Sequence, residues 1–245
     1  MKLGDKGPKY DHLGRTVQLR DFLAPALAYP EACDLTEGLA PDEDDLGNQS
    51  IGLCAIAAPA HKVRWLDQLN KRPPRVDTNA VVAQYSALTG YVPGDESTDN
   101  GTYALDVFKA WRSSGLFGLA PITAFAQVNY LDREEVAKAT FLAGGVFLAL
   151  SLPKRCAAGD PRDVDIWDVP ADGDFGGELG GHMVWLHGSC CNSWGRQIVV
   201  TPELIAARAY DAFVAFGDDD LLPGGRAFSG LDAAGMMAAI KAVTL

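Results

Sequence analysis

The apolar positions Ile56, Ala57, Ala60, Val63, Trp65, Leu66 and Leu69 recur at three- and four-residue spacing and predict a helix over residues 53–71 with one broad face to bury. Pro59 inside it removes one backbone hydrogen bond, so a kink is expected about a turn and a half after Cys54. Arg72-Pro73-Pro74-Arg75 stops this helix, and Asp77 or Thr78 can cap a second, whose Val81, Val82, Tyr85 and Leu88 keep the period as far as Gly90. After a turn-rich stretch at 92–100, residues 102–113 form a third amphipathic helix, with Leu105, Phe108, Ala110 and Trp111 inward and Gly115 beyond its end. Acids at Asp132, Glu134 and Glu135 open a fourth that runs to 143.

There the period changes. Gly144-Gly145 break the helix, and the unbroken apolar run 146–152, closed by Pro153, reads as a buried strand. Residues 154–181 are rich in Asp, Gly and Pro and read as loop, with a short strand at 166–169. Strands are expected at 182–187 and 197–200, helices at 202–213 and 231–243. Helices first and strands later, without regular alternation, predict an α+β fold. Residues 1–46, with four prolines, read as an extended N-terminal arm that wraps over a neighbour, 47–217 as the main domain, and 218–245 as a C-terminal loop and helix packed on that domain.

A 245-residue chain that is 48% hydrophobic can build a sizeable core. The net charge of −11, with no basic run, excludes nucleic acid and anionic membrane as expected partners, because attraction to phosphate needs a basic face. Neither a signal peptide nor an apolar stretch of roughly 20 residues is present, so no membrane partner and a cytoplasmic location are expected. The five cysteines form no C-x-x-C pair and fit a reducing compartment, with at least one free thiol. Acidic runs at 42–45 and 218–220 read as solvated turns, and no His, Cys and carboxylate set has ligand spacing. No metal and no cofactor is expected.

The candidate chemistry starts at Gly47-Asn48-Gln49-Ser50-Ile51-Gly52-Leu53-Cys54. A polar, glycine-bearing loop delivers a cysteine to the first turn of a helix, where unpaired amides and the positive end of the dipole favour thiolate. Such a nucleophile needs an imidazole base and a group to orient it. His12 lies in the arm, and His61, two turns down the same helix, reads as a surface residue. His182 and His187, five apart on one strand, point to opposite faces: His182 with Val184 and Leu186, His187 with Met183 and Trp185. Residue physics leaves the choice between them open.

Gly52-Leu53-Cys54 at a helix start, then Gly181-His182-Met183-Val184, then Asn192-Ser193-Trp194-Gly195 resemble the papain-like cysteine peptidases in that chain order. His182 and Asn192 follow Cys54 by 128 and 138 residues, close to the roughly 130 to 150 of papain. The resemblance implies a papain-like α+β fold, with a helical half carrying the nucleophile and an antiparallel β half carrying His and Asn. It implies Cys54 as nucleophile, His182 as base and then acid, Asn192 as the orienting residue and Trp194 as its shield. The oxyanion site would use the Cys54 amide and Asn48, where the family has Gln, or Gln49 if the loop is tighter. Asn100, Gly101 and Gly181 would contact substrate main chain, and Gly52 would support the nucleophile. Further segments, from Lys2-Leu3-Gly4 to Ala209-Tyr210, resemble a papain-like group of phages and bacteria often encoded among phage structural genes. The expected partners are accordingly a polypeptide substrate or phage structural proteins, with a catalytically silent virion component as the alternative function. With 53 residues before Cys54, an inhibitory prodomain of the secreted type is not expected.

Overall fold

A 16-residue helix, α1 (Cys54–Leu69), starts at the cysteine itself in the computed structural model, which describes residues 2–9, 18–21, 39–157, 165–222, 225–227 and 229. The helix is continuous through Pro59. Helix α2 (Thr78–Thr89) is opened by the Asp77 side chain, which accepts from the Ala80 amide, and closed by Gly90 in the left-handed conformation. Then follow α3 (Ala104–Ser114), β1 (Ala124–Gln127), α4 (Arg133–Ala143), β2 (Val146–Pro153), α5 (Lys154–Ala157), β3 (Ile166–Trp167), β4 (Glu178–His187), β5 (Cys190–Ser193), β6 (Arg196–Val200), α6 (Pro202–Arg208) and β7 (Ala209–Phe216). A two-residue hairpin, β8 (Leu221–Leu222) and β9 (Arg226–Ala227), comes last among the described residues.

The fold is α+β. Seven strands form one sheet in the order β1-β7-β2-β4-β5-β6-β3, antiparallel except for the β3/β6 edge. Strands β2 and β4 pair with Phe147 opposite Trp185, Ala149 opposite Met183 and Leu150 opposite His182. Side chains alternate across that ladder. Phe147, Met183 and Trp185 join α1, α2 and α3 in one core, where Trp65 of α1 packs on Trp185 at 5.2 Å. Leu148, Leu150, Val184 and Leu186 join α4, Trp167, Trp194 and Leu204 in a second core on the opposite face.

Four expectations are corrected. The helix over 202–213 ends at Arg208, and the chain continues as β7, because Ala212 to Phe216 are buried between β1 and β2 and the ladder there outweighs helix propensity. The strand at 166–169 is only Ile166–Trp167. The acidic runs are not merely solvated: Asp42 accepts from Arg64 at 2.9 Å and shares a hydrogen with His61 Nδ1 at 3.0 Å, while Asp219 bridges Arg72 and Arg75. Burial opposes ionisation of Asp42, but His61 and Arg64 outweigh it and hold its carboxyl at about 2. His61, read as a surface residue, is buried against this carboxylate. The helix expected at 231–243, His12 and Cys33 lie outside the described residues.

Asp220 shows how the acidic turn ties the sheet to α1. Lys62, buried on α1, donates to the Ala215 carbonyl at 2.6 Å and pairs with buried Asp220 at 2.7 Å. Removing one partner strands a buried charge. Asp220→Ala should therefore lower the unfolding free energy by about 3–5 kcal/mol, while Glu134→Ala on the exposed face of α4 should change it by less than about 0.5 kcal/mol. Urea titration checks both; equal midpoints for the two variants would show that the pair carries no such weight.

Candidate active site

Cys54 is fully buried at the start of α1, and Leu53 offers no capping side chain to the first-turn amides. The preceding loop is fixed by Asp99. Its two carboxylate oxygens accept from the Gly52 amide at 3.2 and 3.0 Å, and Oδ1 also accepts from Tyr85 Oη at 2.7 Å. Tyr85 Oη in turn accepts from the Gly101 amide at 2.8 Å, and Lys2 pairs with Asp99 at 3.0 Å. Burial would raise the Asp99 carboxyl, but these donors outweigh it and hold it below the usual range. One carboxylate thus fastens the nucleophile loop, the Gly101 strand-like segment and the N-terminal arm.

A peptide already crosses this site. The Thr102 amide donates to the Gly4 carbonyl at 2.7 Å, the Lys6 amide to the Thr102 carbonyl at 3.0 Å, and the Asp5 amide to the Gly181 carbonyl at 3.2 Å. A Cβ on Gly4 would overlap the Gly52 carbonyl, one on Gly101 the Gly4 carbonyl, and one on Gly181 the Asp5 carbonyl. Gly52, Gly101 and Gly181 therefore line a cleft in which main chain lies against main chain. Asn100 is not part of it: it is exposed, and its side-chain amide donates to the Ser97 carbonyl at 3.3 Å.

Burial, followed by the Asp5 charge, pushes the Cys54 thiol up to about 12, against the pull of the nearby Met183, Gly4 and Asp5 amides. Met183 is the next residue after His182, so the backbone brings the histidine to the thiol. Its ring, however, lies on the far face of β4, stacked on Trp194 at 4.8 Å and edge-on to Trp167 at 5.8 Å. His182 Nε2 shares a hydrogen with Ser193 Oγ at 2.8 Å, and among the described residues Nδ1 has no hydrogen-bond partner. Complete burial pushes its pKa down to about 3. Neither nitrogen bonds the thiol, so Cys54 and His182 are both neutral here at pH 7.

Asn192 sits on the other face of β5, in a cavity of about 100 Å³ shared with His61, Trp65, Trp185, His187 and Gln197. Both polar atoms of its side chain lack a hydrogen-bond partner among the described residues. Cys54, His182 and Asn192 are thus not joined by hydrogen bonds in this structure. His187, on the α1 side of the sheet, is four residues from Met183, about 13 Å along an extended strand. Asn48 is buried within the loop before Cys54, with Oδ1 unpartnered among the described residues, whereas Gln49 donates to the Trp194 carbonyl at 3.0 Å.

Asp99, Tyr85, Thr102, Asp5 and Ser193 shape the site without having been singled out by sequence. Asp99 and Thr102 flank the Asn100-Gly101 segment and Ser193 lies within Asn192 to Gly195, whereas Tyr85 and Asp5 gave no local signal of a role at the site. Among the described residues no group of three or more His, Cys, Asp or Glu side chains can hold a metal ion, and no helix is long and apolar enough to cross a membrane.

No protein-family model and no curated protein matches the sequence. Solved structures do match the fold. Xylellain, a cysteine protease from Xylella fastidiosa, superposes with a TM-score of 0.58 over 88% of this chain and 97% of its own, at 19% identity. The Carica candamarcensis cysteine protease CMS1MS2, solved in complex with E-64, aligns over 77% of this chain and 99% of its own, with a TM-score of 0.45 and 12% identity. The chain has the fold of the papain-like cysteine proteases.

Proposed function

We propose that the chain is a thiol hydrolase of polypeptides, cleaving peptide or isopeptide bonds, captured in a closed state. The observation that supports this most is the peptide main chain held by Thr102 and Gly181 across the Cys54 thiol. Extended polypeptide is the one ligand such a cleft fits without side-chain selection.

In this reading the β4 segment at His182 turns over locally, so that the ring leaves Trp194, faces the thiol and takes its proton. Cys54 Sγ attacks the carbonyl carbon, the C–N bond breaks, and the leaving amine takes the proton from His182. Water, deprotonated by His182, then opens the thioester. The Cys54 amide and Asn48 stabilise the oxyanion. Asn192 orients the ring once it has turned. His182 is preferred to His187 because only the former adjoins the backbone at the thiol.

A second reading rests on the same site: a papain-fold accessory component, for instance of a phage particle, whose site is silent. Its support is the His182 ring, neutral, buried and engaged with Ser193 on the wrong face of the sheet.

The two readings separate on unfolded polypeptide substrate, with new amino termini counted by mass spectrometry. For a hydrolase, Cys54→Ala should abolish turnover and His182→Gln should lower it by about 100- to 10,000-fold, as expected for loss of a general base. Turnover equal in wild type and Cys54→Ala, or absent from both after the arm has been displaced, would establish the silent reading.

A second expectation concerns the resting thiols. At pH 7 iodoacetamide should modify half-buried Cys190 well before fully buried Cys54. Peptide mapping after partial labelling checks this, and equal labelling of the two would mean that Cys54 is open.

A further inference from the structure

We propose that Ser193 is a positioning residue that parks the His182 ring away from Cys54, and that the ring reaches the thiol when a one-residue bulge in β4 migrates from Leu179 to His182. That the arriving ring serves as a base rests on the reading above; the parking and the migration do not.

The register of the sheet carries the argument. From Leu152 opposite Gly180, through Leu150 opposite His182, to Val146 opposite Leu186, β2 and β4 pair without interruption, but Pro153 lies opposite Glu178. Leu179 is therefore an extra residue with no partner on β2, a β-bulge three positions before His182. With the extra residue at 182 instead, Leu179, Gly180 and Gly181 would face Leu152, Ser151 and Leu150, while Met183 would keep Ala149. A shift of one residue reverses the faces of 179–181. In a bulge two consecutive side chains share one face of the sheet, so His182 would turn to the side of Met183. That is the α1 side, and the Met183 amide adjoins the Cys54 thiol.

Three features favour this migration. The residues that change face are Gly180 and Gly181, which have no side chains, and Leu179, which is exposed. The place opposite Ser151 demands a glycine, because a Cβ on Gly181 would overlap the Asp5 carbonyl. After migration Gly180 occupies it, so two consecutive glycines meet the demand in both registers. Finally, β5 pairs with β4 only at Leu186 and His187, so the β2 ladder and the one bond from the Asp5 amide are all that must re-form.

Little holds the parked ring. It stacks on Trp194, Nε2 shares its hydrogen with Ser193 Oγ at 2.8 Å, and buried Nδ1 has no hydrogen-bond partner among the described residues. An unpaired buried nitrogen opposes parking, and the Ser193 hydroxyl is the one polar group that favours it.

Relaxation-dispersion NMR on the full chain reads the migration without reference to activity. Exchange on the microsecond-to-millisecond scale should be confined to the amides of 179–182 and their partners at 150–152, with 183–186 quiet. Ser193→Ala should raise the population of the thiol-facing ring about ten- to a hundredfold, seen as stronger exchange at 179–182 and a weaker Trp194 ring-current shift on His182. Ser193→Thr, which retains the hydroxyl, should restore the wild-type spectrum. A merely structural Ser193 would lower stability and leave the ring on Trp194. Deleting Leu179 makes the ladder continuous and should abolish the exchange with His182 parked. Should that deletion prevent folding, the comparison of wild type with Ser193→Ala decides alone: equal exchange in both, or none in either, would overturn the proposal. Polypeptide cleavage by a folded Leu179-deleted chain would also overturn it and leave the hydrolase reading intact. Exchange as expected, with substrate uncut by the wild type, would leave the migration standing and remove the hydrolase reading.

Discussion

Three backbones must pass within van der Waals contact of one another at this cleft, and that requirement shapes everything around it. The arm touches Gly52 on the nucleophile loop, Gly101 on the helical wall and Gly181 on the sheet, and a single methyl would collide with the Asp99 carboxylate at Gly52, the Gly4 carbonyl at Gly101 and the Asp5 carbonyl at Gly181. Only residues without a side chain permit such approach. Having brought the main chains together, the fold must satisfy their polar groups in a buried place. Asp99 does much of this: it accepts from Gly52 and Tyr85, and through Tyr85 it holds Gly101. Losing Asp99 would unfasten the loop on one side and the cleft wall on the other.

Burial also decides the charge states. A cysteine at a helix start is expected to lean toward thiolate, and the local ingredients are present in the uncapped first turn and the nearby amides. Yet the thiol is pushed up to about 12, because it is sealed from water and faces the Asp5 carboxylate. The arm adds to the first, with the core around α1, and supplies the second. Its departure would admit solvent to the sulfur and carry Asp5 away, so one movement uncovers the nucleophile and makes it more acidic. His182 needs a different change, a local turn of β4 that takes its ring away from Trp194 and Ser193.

What the sequence revealed follows from where each signal is stored. The first four helices were legible because their apolar periods are long and their caps local, as with Asp77 and Gly90 around α2 and Asp132 before α4. The papain-like fold was legible from Cys54, His182 and the Asn192 to Gly195 segment. Strand β7 was not, because Ala209 to Phe216 can continue a helix until β1 and β2 claim it from either side. The partnerships of Asp220 with Lys62 and of Asp5 with Tyr210 span 158 and 205 residues and leave no local trace. The side-chain arrangement of Cys54, His182 and Asn192 was equally hidden. Alternation put His182 with Val184 and Leu186, as the ladder has it, but only the packing of α1 shows which face the nucleophile occupies.

The energetics of the arm set how firmly it lies in the cleft. Three backbone hydrogen bonds contribute about 0.5–1.5 kcal/mol each, the bond to a buried carboxyl about 1.5–3, and partial burial of Leu3 about 1. The half-exposed Lys2 adds little, because solvent screens its pairing with Asp99. Against this stands the cost of fixing five residues, about 1–2 kcal/mol each for the backbone alone. The two sides come within a few kcal/mol of each other. A segment bound by many side chains in a deep groove would not be so poised. The Leu3-Gly4-Asp5 sequence combines an apolar anchor, the glycine that close approach demands and one buried acid, so the arm is held by few contacts and no single one of them outweighs the cost of ordering it.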